Sequence, residues 1–217
     1  MKTIRIKVAA LATGTLLAAP VLAQSSPWSV YVGGAYIAFD SSAAFKVNGQ
    51  PVPGGDATAS NNTSMAFGAV YHFNPAWSVE LALGLPPTST LTGKGTLSSA
   101  GTLGKVEYGP AVLSVRRSFF TASPVRPYVG IGLNYTLVLD SKDGFVRGLH
   151  VKSGFGPVLQ IGCAIPIDKH LSILMDLKKI WLSTSGTGTL PAFGGAPAYA
   201  DVHLNPIVGT AAISYRF

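Results

Sequence analysis

The chain has 217 residues and carries 16 Lys or Arg against nine Asp or Glu, a formal charge of +7. Charged residues are 12% of the whole, where a soluble domain holds roughly 25%, and mean hydropathy is +0.37. Basic residues scattered without a Lys/Arg block exclude a nucleic-acid footprint, and a single cysteine, Cys163, excludes an intrachain disulfide.

The chain opens on an export signal. Lys2, Arg5 and Lys7 form a positive start, Val8 to Ala19 an apolar stretch, and Val21-Leu22-Ala23 a small-residue cleavage site. Cleavage is expected after Ala23, which leaves residues 24–217 as one domain. No cysteine stands directly after the site, so a lipoprotein signal is not expected. The signal holds three of the 16 basic residues and no acidic one, so much of the basic excess leaves with it. Beyond it no apolar run reaches the roughly 18 residues of a helical span. A hydrophobic exported chain without such a span points to a β-barrel, because only helices and closed barrels satisfy their backbone in lipid.

Eight segments read as strands: 27–40, 63–73, 77–86, 104–119, 126–139, 153–166, 170–183 and 201–217. Their pattern has a period of two, which gives a strand two unlike faces. In the second, Met65, Phe67, Ala69, Tyr71 and Phe73 alternate with Ser64, Ala66, Gly68, Val70 and His72. In the third, Val79, Leu81, Leu83 and Leu85 alternate with Ser78, Glu80, Ala82 and Gly84. The fifth sets Val129, Ile131, Leu133, Tyr135 and Leu137 against Tyr128, Gly130, Gly132, Asn134 and Thr136. The seventh sets Leu171, Ile173, Met175 and Leu177 against Ser172, Leu174, Asp176 and Lys178. One face is large and apolar; the other is small, polar or charged.

The links alternate as well. Short ones follow segments two, four and six, whereas 41–62, 87–103, 140–152 and 184–200 are long and rich in Gly, Ser, Thr, Pro and Ala. Short periplasmic turns, long extracellular loops and an even strand number mark an outer-membrane barrel. Segments of 10 to 17 residues suffice, since a tilted spanning strand needs about 9–11. Trp28, Phe73, Trp77, Phe119, Phe120, Tyr215 and Phe217 fall at the predicted periplasmic ends, and Tyr36, Phe39, Tyr135 and Trp181 at the outer ends. These are two candidate aromatic girdles. The chain stops on Ile213-Ser-Tyr215-Arg-Phe217, similar to the final strand of outer-membrane barrels. Ile213, Tyr215 and Phe217 are therefore expected to be its assembly signal, with the barrel-assembly machinery as partner during biogenesis.

Five ordered segments carry a family resemblance. They are Asn61-Asn-Thr63, Trp77-Ser-Val-Glu80-Leu81, Arg126-Pro-Tyr128-Val-Gly130-Ile-Gly132-Leu-Asn134-Tyr135-Thr136, Ser153-Gly-Phe-Gly156 through Gln160-Ile-Gly162, and Val202-His-Leu204-Asn-Pro206 running to Tyr215-Arg-Phe217. Together they resemble the outer-membrane protein W family, which includes alkane-uptake porins. The resemblance implies an eight-stranded barrel that passes small hydrophobic solutes across the outer membrane of a Gram-negative bacterium. It implies no cofactor and no catalysis. An eight-stranded interior is just wide enough to be filled by side chains or to hold one small ligand.

The alternation points Glu80, Ala82, Asn134, Gln160, Asp176 and Lys178 into the lumen, with Arg116 nearer the periplasm. Two readings stand: a closed barrel plugged by ion pairs, or a polar girdle under an apolar mouth that diverts a solute sideways into lipid. Lys178 and Lys179 are adjacent, so one faces lipid unless it lies at the rim. Pro86, Pro87 and Pro110 interrupt the third and fourth segments and are the candidate lateral opening, since proline removes a ladder donor.

Other functions leave weaker traces. A lipid-modifying enzyme needs a nucleophile beside a base. His203, with Ser183 and Ser185, is the nearest approach to one, and His72, His150 and His170 show no triad or metal spacing. An adhesive barrel acting through its long links is compatible with the sequence. The expected surroundings are outer-membrane lipid, a small hydrophobic solute and no nucleic acid, as a monomer. Any transport is passive, because no energy-coupling motif is present.

Overall fold

The structure is a computed structural model and describes residues 26–217. The expected signal segment, residues 1–23, lies outside the described residues. Fifteen strands follow one another: β1 (Trp28–Ala38), β2 (Ser42–Val47), β3 (Gln50–Pro51), β4 (Gly55–Ala59), β5 (Asn62–His72), β6 (Trp77–Gly84), β7 (Thr88–Gly95), β8 (Thr102–Ser118), β9 (Arg126–Asp143), β10 (Arg147–Val151), β11 (Gly154–Pro166), β12 (Leu171–Ile180), β13 (Ser183–Leu190), β14 (Ala196–His203) and β15 (Ile207–Arg216).

Eight of them close the barrel in the order β1, β5, β6, β8, β9, β11, β12, β15, and β15 pairs back to β1. Every pairing is antiparallel, and the closing ladder runs from Ser29↔Arg216 to Ala38↔Ile207. Closure leaves no unpaired edge, which lipid would penalise. Each of the eight predicted segments overlaps one of these eight strands.

The period-two pattern sets their faces. Val30, Val32, Leu81, Leu113, Ile131, Leu133, Ile161 and Ile213 stand exposed on the outside, where lipid covers them. Tyr31, Val70, Tyr128, Leu174 and Ala212 alternate with such residues and form an inner cluster. At the periplasmic end Trp28, Phe73, Trp77, Phe119, Phe120, Tyr215 and Phe217 are exposed, with edge contacts Trp28–Tyr71 at 5.0 Å and Tyr215–Phe217 at 5.2 Å.

The long links differ from their expected form, because much of each is strand. β2, β14, β13 and β10 build a second sheet, with the two-residue β3 at one edge. β4 pairs β7, and β7 continues the wall along β8. These extensions bury Ala43, Ala57, Leu103, Val146 and Leu190 as a core of their own. Their composition reads as loop, but pairing with neighbouring strands satisfies their backbone. The segment 201–217 is likewise two strands. β14 ends at His203 and β15 begins at Ile207, with Asn205 between them at φ 34°. Proline at 206 removes the amide that a continuous ladder would use.

Prolines also interrupt the wall. β6 pairs β8 as far as Leu83↔Ala111, and the ladder resumes as β7 at Thr88↔Glu107. Pro86, Pro87 and Pro110 occupy the interval. One bond spans it, from Tyr108 N–H to the Pro87 carbonyl at 3.2 Å.

Candidate functional site

Five barrel strands send polar side chains into the middle of the lumen. Glu80 from β6 is wholly buried, and Ser114 and Arg116 from β8, Asn134 from β9, Gln160 from β11, and Asp176 and Lys178 from β12 are buried with it. Two acids and two bases make the cluster neutral. Buried charge is tolerated only when paired, and all four charges here are paired, although Arg116 Nη1 is buried without a hydrogen bond. Gln160 Nε2 donates to Glu80 Oε2 and to Asp176 Oδ2, both at 2.6 Å. Ser114 Oγ donates to Gln160 Oε1 at 2.8 Å. Lys178 Nζ bonds Asp176 Oδ1 and lies 3.6 Å from Glu80 Oε1, while Arg116 Nη1 lies 3.6 Å from Glu80 Oε2.

Two tyrosines complete the cluster. The Tyr31 hydroxyl donates to Glu80 Oε1 at 2.6 Å and the Tyr128 hydroxyl to Asp176 Oδ2 at 2.7 Å. Each ring occupies space left by a glycine. A Cβ on Gly68 would come within 2.6 Å of the Tyr31 ring, and one on Gly162 within 2.4 Å of the Tyr128 hydroxyl. The Arg116 guanidinium lies 4.7 Å from the Tyr128 ring centre, in cation–π range. Alternation put Tyr128 and Ser78 on the small, polar face without giving them a role, and Tyr31 and Ser114 were not picked out. The signal available was parity: Tyr31 shares the inward face of β1 with Ser29, and Ser114 that of β8 with Arg116.

Asn134 stands apart from the charges. Its side-chain amide donates to the Ala111 carbonyl at 3.1 Å, and its oxygen accepts from Thr136 Oγ1 at 2.8 Å. Lys179, beside Lys178, bends to the rim, and its Nζ donates to the Asn205 carbonyl at 2.7 Å. That removes the cost of a lipid-facing ammonium.

Above this floor the lumen is apolar. A cavity of about 170 Å³ opens there, with Ile37, Phe45, Leu91, Leu103, Val112 and Ile180 among its walls. Ala82 and Lys178 lie at its base, and Gly84 and Pro110 at its side, so it reaches the interrupted ladder. The extension sheet therefore deepens an apolar mouth over a polar base.

The other candidates fall elsewhere. Ser183 Oγ lies 2.8 Å from His203 Nδ1 in an exposed pair, and Asp201 accepts from the Tyr199 hydroxyl. Ile213, Tyr215 and Phe217 all point outward from the barrel's periplasmic end.

Comparison with known proteins agrees with this architecture. Residues 29–217 match the model of the OmpW family. The chain is 37% identical over 201 residues to the dibenzothiophene metabolism operon protein PahQ of Pseudomonas aeruginosa, covering 93% of each chain. It is 28% identical over 171 residues to outer membrane protein AlkL of Ectopseudomonas oleovorans, covering 79% of this chain and 73% of that one. The crystal structure of OprG from Pseudomonas aeruginosa superposes with a TM-score of 0.82 at 24% identity, covering 89% of this chain and 97% of that one. AlkL in lipid bilayers gives 0.69 at 24% identity, covering 92% and 95%. At such identity the two structures speak to the fold, and the family match speaks to kinship. The chain belongs to the OmpW family and is an eight-stranded barrel of the Gram-negative outer membrane.

Proposed function

We propose that the barrel is a passive channel for small hydrophobic molecules. The observation that carries this reading is an apolar cavity seated on a neutral, charge-paired polar floor. An apolar solute gains by leaving water for the cavity. Crossing the floor would require breaking buried hydrogen bonds to charged groups, each worth about 1.5–3 kcal/mol. The side is cheaper. At Pro86, Pro87 and Pro110 the wall lacks ladder bonds that elsewhere close it, and the cavity reaches that point. The solute thus enters from outside, rests above the floor and leaves sideways into lipid. The PahQ relative is named for a dibenzothiophene metabolism operon, and a fused aromatic suits an apolar chamber of this kind. An engineered apolar cavity of about 150 Å³ already holds benzene.

Residues 1–23 act in this reading as the cleaved export signal, and Ile213, Tyr215 and Phe217 as the sequence that the barrel-assembly machinery reads. A second reading is a closed barrel that works through its outer surface. The paired extension strands favour it, since they form an ordered platform beyond the membrane.

Flux into liposomes holding the refolded protein separates the two. A small aromatic hydrocarbon should cross faster than in protein-free liposomes, and a sugar of similar size should not. Equal fluxes with and without protein would leave the closed barrel. The side exit has its own test. A Cβ on Gly84 would lie 3.0 Å from Pro110 Cγ, so Gly84→Cys with Pro110→Cys places two thiols across the gap. Oxidation should slow the aromatic flux and reduction restore it. Flux unchanged by oxidation would put the exit elsewhere.

A further inference from the structure

Beneath the polar floor the lumen changes character. Of the nine acidic residues in the chain, only Asp168 lies at the periplasmic end, and its carboxylate is engaged by the amides of His170 and Leu171 at 2.7 Å each. Arginines collect there instead. Arg116 and Arg117 end β8, Arg126 begins β9 and Arg216 ends β15. Arg117 faces outward over the Trp77 ring at 5.4 Å. The other three share inward faces: Arg116 with Ser114, Arg126 with Tyr128, and Arg216 with Ser214. Arg116 is taken up by the floor through Glu80 and Ser78. Arg126 and Arg216 are not, and neither forms an ion pair among the described residues; Arg216 Nε donates to the Ser26 carbonyl at 3.4 Å, which leaves its terminal nitrogens for other partners.

Register sets these groups around the rim of the periplasmic end, Arg216 on β15 and Arg126 on β9. Arg216 lies opposite Ser29, whose hydroxyl is 3.0 Å from His72 Nε2, and His72 lies opposite Ser78. Ser118 lies opposite Tyr128, one inward step from Arg126. The Arg126 Nε is buried and has no hydrogen-bond partner. A buried guanidinium nitrogen without an acceptor is costly, and an oxyanion is an acceptor that suits it. The floor above is neutral, so nothing inside the barrel balances the two guanidinium groups.

We propose that the periplasmic mouth is a binding site for a small oxyanion, a phosphate or phosphate ester. Arg126 and Arg216 supply planar forks that match such oxygens, and Ser29, Ser118, Ser214 and His72 supply further polar atoms. Among the described residues, lysine, a point charge, occurs at this end only as Lys169 in the turn, so the residue type as well as the sign fits phosphate. The site is independent of solute passage, which runs above the floor. The phosphate group can belong to a soluble anion or to a phospholipid head of the inner leaflet.

The test uses the refolded protein with isotope-labelled arginine in phosphatidylcholine nanodiscs. Potassium phosphate is titrated against potassium chloride at matched ionic strength, and the arginine Nε–H signals are followed. Phosphate should shift the Arg126 and Arg216 signals saturably in the millimolar range, while chloride should not. Arg126→Gln should weaken the response about tenfold, the loss expected from one charge-assisted bidentate contact of about 1.4 kcal/mol. Arg126→Lys keeps the charge without the fork and stands in if Arg126→Gln does not fold. Aromatic flux should be unchanged in either variant. Signals already shifted in phosphatidylglycerol nanodiscs without phosphate would identify the lipid head as the source. Shifts that chloride reproduces, or no saturable shift in either medium, would overturn the proposal.

Discussion

Glu80 meets five groups: Arg116, Lys178, Tyr31, Gln160 and Ser114. Glu80→Gln keeps the shape and removes the charge, leaving two cations to share Asp176. Breaking a buried pair in this way costs about 3–5 kcal/mol. The urea midpoint of the protein in lipid vesicles, read by tryptophan fluorescence, should fall accordingly. Adding Lys178→Met restores neutrality and should recover most of the loss, which a purely steric effect would not allow. Gly162→Ala tests the tyrosine slots. Its methyl would collide with the Tyr128 hydroxyl and the Met175 carbonyl, and overpacking of this kind costs about 1–3 kcal/mol. The same midpoint should drop, while Gly34→Ala, with open space around it, should leave it nearly unchanged. Period two alone places Glu80, Gln160 and Asp176 on inward faces. It does not show that Gly68 and Gly162 make room for Tyr31 and Tyr128, because that depends on cross-strand register.

At the scale of elements, the turns show how much of the fold is local. Between β11 and β12 the Asp168 carboxylate accepts from the amides of His170 and Leu171 at 2.7 Å each. These bonds hold its pKa below the ordinary 3.8. A folded pKa below the unfolded one contributes stability that is full above the unfolded value and fades as pH falls through the folded one. Asp168→Ala should therefore lower the unfolding midpoint at neutral pH. The gap to the parent protein should close in acid below the folded pKa; a gap of constant size would mean that the bonds do not act through the charge. The eight barrel strands were legible because their alternation is set by lipid on one side and a narrow lumen on the other. The extension strands were not. Thr187-Gly188-Thr189 in β13 reads as a flexible link, yet it pairs with Tyr199-Ala198-Pro197 of β14. Small side chains suit a sheet whose partner surface is close: a Cβ on Gly188 would lie 2.3 Å from Val146 Cγ1. Such closeness is a property of the partner strand and leaves no periodic trace in the segment itself.

For the whole molecule, floor and mouth divide the labour. The floor was foreseeable as inward charge, but a plug and a girdle predict the same residues. What distinguishes them is the space above, where strands read as loops raise apolar walls around about 170 Å³. A solute held there binds the folded barrel alone, so it stabilises that state by RT ln(1 + [L]/Kd), about 2.7 kcal/mol at a hundredfold excess over Kd. Dibenzothiophene or a smaller arene should raise the unfolding midpoint of the vesicle-bound protein, and a sugar should leave it where it is. Partitioning of the arene into lipid is a confounder, and one residue removes it. Ala82 lies at the base of the cavity, packed near Tyr31 and Val112. Ala82→Phe puts a ring where the solute would rest, without touching the outer face of the barrel. Lipid effects persist in that variant, whereas stabilisation by a solute inside the lumen disappears. If the arene raises both midpoints equally, the cavity is not its binding place, and the ordered extension sheet becomes the working surface of the protein.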